Sequence, residues 1–218
     1  MKNYKLIVFD WDGTLYDSAA QIVQSMQKAI EELNLEHPTD EEIAQYIGLD
    51  PICVVESLFP DIDLGKRVQL KQRFQYYYYS NSSTPCLFNG TIDRLKALHA
   101  QGFTLAIATG KSRAGLNDAL VKTGLSELIS LSRTADETAC KPNPQMLLEI
   151  MDTLQIAPEH TLMVGDTEYD LLLAKAAGTD AVAVTHGVHD TERLKMFESV
   201  LIVDNLQALK TWLQTSES

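Results

Sequence analysis

The chain is short of positive charge. Across its 218 residues, 18 lysines and arginines stand against 30 aspartates and glutamates, a formal net charge of -12. Phosphate backbones are held mostly by lysine and arginine, so duplex nucleic acid is excluded as the main partner. An anionic small molecule would be repelled at long range and needs a local positive centre, a side chain or a bound cation. Cysteine is scarce too. Cys53, Cys86 and Cys140 are odd in number and widely spaced, with no C-x-x-C pair to suggest zinc or a dithiol centre, which leaves reduced, partly buried thiols. No apolar run approaches a spanning helix, and the basic start "MKNYKLIVFD" meets an acid too soon for the apolar segment of a signal peptide. The expectation is a cytoplasmic protein without membrane or nucleic-acid partners. Repeats and low-complexity tracts are missing as well, apart from the local run Tyr76 to Tyr79.

The remaining composition, 45% hydrophobic and 22% charged, is that of an ordinary globular chain. Its length fits one large domain or one domain carrying a smaller insertion. Monomer and homodimer are both compatible with it.

Glycine and proline mark the joints. "YKLIVFD" is short and β-rich and runs at once into "DGT", which predicts a buried strand entering a tight turn. From Tyr16 to Leu33 the apolar positions Ile22, Val23, Met26, Ala29, Ile30 and Leu33 follow helical spacing. Thr39 and Glu42 stand at capping-box spacing, and helical patterns continue through Leu58 and from Leu64 to Tyr79. The polar stretch "SNSSTPC" has the composition of a linker.

From Gly90 onward helices and strands alternate. Helices are expected over Thr91 to His99, Ser112 to Lys122, Pro144 to Leu154 and Glu168 to Ala177, with a last one reaching Trp212. Strands are expected at "FTLAIA", weakly at "LISLS", and at "TLMVG", "DAVAV" and "SVLIV". Alternation of this kind implies right-handed crossovers and a parallel sheet covered on both faces. The fold class expected is therefore α/β, a doubly wound, Rossmann-like parallel sheet. Residues 1–15 and 85–218 form its core, and residues 16–84 are an inserted α-helical cap.

In a parallel sheet the carboxyl ends of all strands share one edge, and ligands bind in the crevice outside it. Polar residues that directly follow several strands must meet there. Asp10 and Asp12 follow "LIVF", Thr109 and Gly110 follow "TLAIA", Asp166 follows "TLMVG" with Asp170 one helical turn on, and Lys141 lies in the loop after the weak strand. Such an acid cluster is costly unless a cation neutralises it, and hard oxygen ligands with room for water suit Mg2+. Asp10 and Asp12, two apart, point to one side of an extended chain, and Gly13 lets the backbone turn beneath them.

Here the chain resembles a family. "FDWDGTLYDS", "IATGKSR", "CKPNP" and "GDTEYD" occur in the order and spacing of the four motifs of the haloacid dehalogenase superfamily, in its branch with a helical cap after the first strand, and they are most similar to phosphoglycolate-phosphatase-like members. The resemblance implies a phosphatase acting on a small phosphorylated metabolite, phosphoglycolate-like or a sugar phosphate. It implies Asp10 as a nucleophile forming an aspartyl-phosphate and Asp12 as general acid, then base. Thr109 would hydrogen-bond a phosphoryl oxygen, aided by backbone N–H groups at the start of the Ser112 helix. Lys141 would offset charge, with Gly110 and Lys111 beside the substrate. Asp10, the Asp12 carbonyl and Asp166 would hold Mg2+, and Asp170 would stand behind them. Asp12 favours phosphate esters, since dehalogenase-like members lack an acid there and phosphonate-cleaving members carry a small residue. Trp11 and Tyr16 replace the usual aliphatic residues and are expected to alter how cap meets core.

Blander readings stand beside these. An Asp after a strand is often a turn residue or helix cap, Asp170 would favour its helix N-terminus electrostatically, and Lys111 and Arg113 open a helix where charges are usually solvated. His186 and His189 lack a third metal partner. The tyrosine run is expected to pack within the cap, while Tyr46, Ile47 and Leu49 are candidates for substrate selectivity. A phosphosugar mutase and a pyrophosphatase would share the same residues. Outside enzymes, a phosphoacceptor of receiver type or a silent phosphate-binding protein would use an Asp on a similar sheet, but a receiver places it after a middle strand and has no lid.

Overall fold

The structure is a computed structural model and describes residues 3–80 and 86–215. Six strands form one parallel sheet: β1 Leu6–Phe9, β2 Thr104–Thr109, β3 Leu131–Thr134, β4 Thr161–Gly165, β5 Asp180–Val184 and β6 Leu201–Val203. Their spatial order is β3-β2-β1-β4-β5-β6, the doubly wound arrangement expected. All five pairings are parallel, with Leu6 opposite both Thr104 and Thr161. The order reverses between β1 and β4, which makes their carboxyl ends the topological switch point.

Strand β1, "LIVF", is buried on both faces, as a central parallel strand must be. Side chains alternate across it. Ile7 and Phe9 join one layer with Leu95 and Leu98 of α5 (Thr91–Ala100), Leu116 of α6 (Arg113–Thr123) and Leu209 of α10 (Leu206–Thr215). Leu6 and Val8 join the other with Met146 and Ile150 of α7 (Gln145–Leu154) and Leu171 and Ala174 of α8 (Glu168–Ala177). A four-residue helix, α9 (Thr191–Leu194), precedes β6.

Between β1 and β2 the chain forms α1 Ala19–Glu32, α2 Asp40–Ala44, α3 Pro51–Leu58 and α4 Leu64–Ser80. These helices bury an apolar cluster of their own: Val23, Met26 and Ile30 of α1 meet Ile43, Val55, Leu70 and Phe74. Thr39 and Glu42 form the expected capping box, and Asp50 caps α3 ahead of Pro51. The linker "SNSSTPC" and the boundary at 84 fall mostly outside the described residues.

Three local expectations shift. Helix α1 begins at Ala19, not Tyr16. Tyr16 instead bridges to Asp12 and Leu87 and stacks on Trp11 at 5.8 Å between ring centroids. The weak strand begins at Leu131, three residues late, because Leu128 and Ile129 pack against the core from the preceding turn. Cys86 is exposed, whereas Cys53 and Cys140 are partly buried, and all three are free thiols. No helix among the described residues is long and apolar enough to cross a membrane.

Candidate active site

The ladder of β1 and β4 continues one residue past Phe9, where Asp10 N donates to Val164 O at 2.9 Å. The chain then curls beneath itself. Leu15 N and Tyr16 N both donate to Trp11 O, at 3.0 and 2.9 Å, and Gly13 N donates to Tyr16 O at 2.8 Å. Gly13 sits at φ +89, and a Cβ there would lie 2.2 Å from Asp166 Oδ2, so both backbone sign and space demand glycine.

The turn delivers Asp10 to a fully buried ion cluster. Lys141 Nζ lies 2.7 Å from Asp10 Oδ1 and 2.7 Å from Asp170 Oδ1, with all three side chains inaccessible to solvent. Asp170 is also the N3 residue of the capping box that opens α8, its Oδ2 accepting from Thr167 Oγ1 at 2.8 Å. It thus does the helix-capping job and faces the cluster at once. Asp166 accepts from Thr14 Oγ1 at 2.7 Å and from Val188 N at 2.8 Å. Carboxylate oxygens of Asp10, Asp166 and Asp170 come within 4.8 Å of one another.

The charges do not balance. Three buried carboxylates share one ammonium, and charges buried without compensation are costly. Burial, then the neighbouring carboxylates, push Asp10 well above the usual carboxylate range, against the pull of Lys141. Burial and Asp170 push Asp166 up to about 7. Burial works against the charge of Lys141 too, but Asp10 and Asp170 more than offset it and hold its pKa above the ordinary lysine value. Asp10 Oδ2, buried, has no hydrogen-bond partner among the described residues. A divalent cation fits this donor set in charge and in ligand type.

Asp12 lies apart from that cluster. Its Oδ2 is 3.1 Å from Lys111 Nζ and its Oδ1 accepts from Ser18 Oγ at 2.7 Å. Lys111 also donates to the Tyr78 hydroxyl at 3.1 Å and lies over the Tyr78 ring. Burial opposes its charge, yet Asp12 holds its pKa above the ordinary value. Thr109 is buried at the end of β2, where its Oγ1 accepts from Lys111 N at 3.2 Å. Gly110 touches the helical block: a Cβ there would lie 2.5 Å from Leu49 O.

Other sequence candidates divide. Ile47 and Leu49 line a cleft that opens on Asp12, Gly110 and Lys111, while Tyr46 packs in the apolar cluster of the helical block. Tyr78 and Tyr79 line the same cleft, Tyr77 donates to Glu32, and Tyr76 is exposed. Arg113 is engaged by Glu137 at 2.6 Å, on the surface. His186 and His189 make separate bonds: His186 Nε2 lies 2.9 Å from Thr14 O, and His189 Nδ1 accepts from Glu168 N at 3.1 Å while Nε2 lies 3.0 Å from Gln45 O. Thr14, Ser18 and Val188 were not singled out from sequence. The Thr and Ser of "DGTLYDS" were the available signal.

A parallel sheet with its switch point occupied by a carboxylate–ammonium cluster, roofed by inserted helices, defines a Rossmann-like α/β enzyme. The family model for haloacid dehalogenase-like hydrolase matches residues 7–184. "Probable phosphatase IndB" of Dickeya dadantii is 36% identical over 208 residues, 91% of this chain and 89% of that protein. A phosphoglycolate phosphatase of Vibrio vulnificus is 30% identical over 214 residues, 94% of each. A solved hydrolase from Pseudomonas syringae, 22% identical, shares the fold with a TM-score of 0.88 over 99% of both chains. The chain belongs to the haloacid dehalogenase-like hydrolase family.

Proposed function

We propose that the protein is a Mg2+-dependent phosphomonoesterase that hydrolyses a small phosphorylated metabolite through an aspartyl-phosphate on Asp10. The family and its phosphatase-named relatives make the chain a phosphatase. The observation that carries the finer reading is Asp10 itself. Its Oδ1 is fixed by Lys141 at 2.7 Å, while its buried Oδ2 has no partner among the described residues, an oxygen left for a cation or for phosphorus.

Asp10 attacks phosphorus in line, and the P–O bond to the leaving alcohol breaks as the new bond forms. Asp12 gives its proton to the departing oxygen. It then takes a proton from water as that water attacks phosphorus, releasing phosphate and freeing Asp10. Thr109 donates to a phosphoryl oxygen, with Gly110 and the start of α6 beside it. Lys141 offsets the charge of Asp10 as an anion approaches. Asp10, Asp166 and the Asp12 carbonyl would hold Mg2+, with Asp170 behind them, and the ion when bound shields one anion from the other. Residues 16–84 act as a lid that excludes bulk water.

The test is phosphate release from p-nitrophenyl phosphate, phosphoglycolate, sugar phosphates and pyrophosphate, with and without Mg2+. Release from monoesters, lost on chelation and lost in Asp10→Asn, is expected. Turnover unchanged in Asp10→Asn rules out Asp10 as nucleophile. Isomerisation of a sugar monophosphate, given its bisphosphate, without phosphate release would favour the mutase.

A further inference from the structure

A narrow cleft, with about 60 Å³ open to water, lies beneath the helical block. It opens on Asp12, the residue proposed to protonate the leaving oxygen. What its walls touch is therefore the alcohol half of the ester. Those walls are mostly apolar, with Ile22 and Met26 of α1, Ile47 of the loop after α2, Val54 of α3 and Phe74 of α4, and Gln75 of α4 adds an uncharged amide. Asp12 and Lys111 are the only charged residues among its described lining, and they are already paired at 3.1 Å, with Tyr78 as a further partner of the ammonium. The hydroxyl of Tyr79 is likewise engaged, 3.2 Å from Ser112 Oγ.

From this lining we infer that the substrate is the phosphate ester of an uncharged, largely apolar alcohol, bound with its hydrocarbon part between α1, α3 and α4. The inference rests on the phosphatase reading above and adds the substrate class to it. A leaving group bearing a carboxylate would have to compete with Asp12 and Tyr78 for Lys111, the one cation in the described lining, and a polyhydroxylated one would set most of its hydroxyls against isoleucine, valine and phenylalanine, with Gln75 and Ser112 as the polar side chains left to meet them. Burying either group unpaired is unfavourable, whereas each methylene removed from water is a gain.

A series of n-alkyl phosphates from ethyl to pentyl tests this with Mg2+ present, because the leaving alcohols differ little in acidity and the chain length isolates burial. The specificity constant kcat/KM is expected to rise about two- to fourfold per methylene, with propyl phosphate preferred over phosphoglycolate. Val54→Lys places a cation in the wall and should reverse that preference. Phe74→Leu, a milder change, should flatten the slope for the longest chains if Val54→Lys fails to fold, with circular dichroism reporting the fold. A flat profile, or phosphoglycolate preferred by the unaltered protein, overturns the inference while leaving a phosphatase. Absence of phosphate release from every ester, p-nitrophenyl phosphate included, overturns the phosphatase reading itself, and the inference falls with it.

Discussion

Lys111 Nζ stands 3.1 Å from Asp12 Oδ2 and also 3.1 Å from the Tyr78 hydroxyl, so one ammonium joins the loop after β1 to the last turns of α4. Removing one partner of a buried ion pair leaves an uncompensated charge and costs about 3–5 kcal/mol. Tyr78→Phe removes only one hydrogen bond, about 0.5–1.5 kcal/mol. Urea titration of Lys111→Met and Tyr78→Phe should therefore rank them in that order, and the reverse order would show the ion pair to carry little weight.

Lys141→Met strips Asp10 and Asp170 of the ammonium that contacts both. The expected loss of stability at neutral pH is again about 3–5 kcal/mol. Its pH dependence follows from burial, which already raises the pKa of Asp10 in the folded state. A carboxylate raised on folding weakens the fold as pH climbs above its unfolded value of about 3.9. The deficit of Lys141→Met should thus shrink as pH falls toward 4, and saturating Mg2+ should reduce it at pH 7. A deficit independent of both pH and Mg2+ would contradict the charge imbalance.

Gly13→Ala pushes a methyl group to 2.2 Å from Asp166 Oδ2 at a φ of +89. The backbone alone costs about 1–2 kcal/mol, and the clash displaces a proposed metal ligand. Gly102→Ala serves as control, because φ there is +95 but nothing among the described residues lies within 4 Å. Both variants should lose stability, but phosphate release measured with Mg2+ present should fall sharply, by roughly 100-fold, in Gly13→Ala alone.

His189 bridges two parts of the chain as a neutral ring. Nδ1 accepts from Glu168 N, so the proton sits on Nε2 and is donated to Gln45 O, beside Tyr169, whose hydroxyl reaches the same carbonyl at 3.1 Å. Burial, with Arg193 adding to it, lowers the pKa of the ring below its ordinary 6.5, against the pull of Gln45, Glu168 and Asp170. A histidine held neutral stabilises the fold above its unfolded pKa, and that contribution is lost as pH falls below it. Melting temperature should fall between pH 7 and 5, less steeply in His189→Gln, as differential scanning fluorimetry would report. Equal slopes would remove His189 from the account.

Asp10, Asp166 and Lys141 were legible in the sequence because a parallel sheet sends every strand's carboxyl end to one edge, whatever the distance along the chain. The partners of Lys111 were not, since they depend on how α4 lies over the core, and no periodicity encodes that angle. The same holds for His189, whose partner Gln45 belongs to a different helix end. Tyr16 was misread as helical because its neighbours repeat at helical spacing, while its stacking on Trp11 is a tertiary contact. Helix α9 is four residues long, too short to show a period at all.

The central place of β1 also has a cost in time. Its neighbours begin at Thr104 and Thr161, and pairings so distant along the chain form slowly. As the polypeptide emerges during synthesis, "LIVFD" waits without its second neighbour until Thr161 to Val164 have followed. Asp10 is translated well before Lys141 and Asp166 and meets its ion partners only once both have followed.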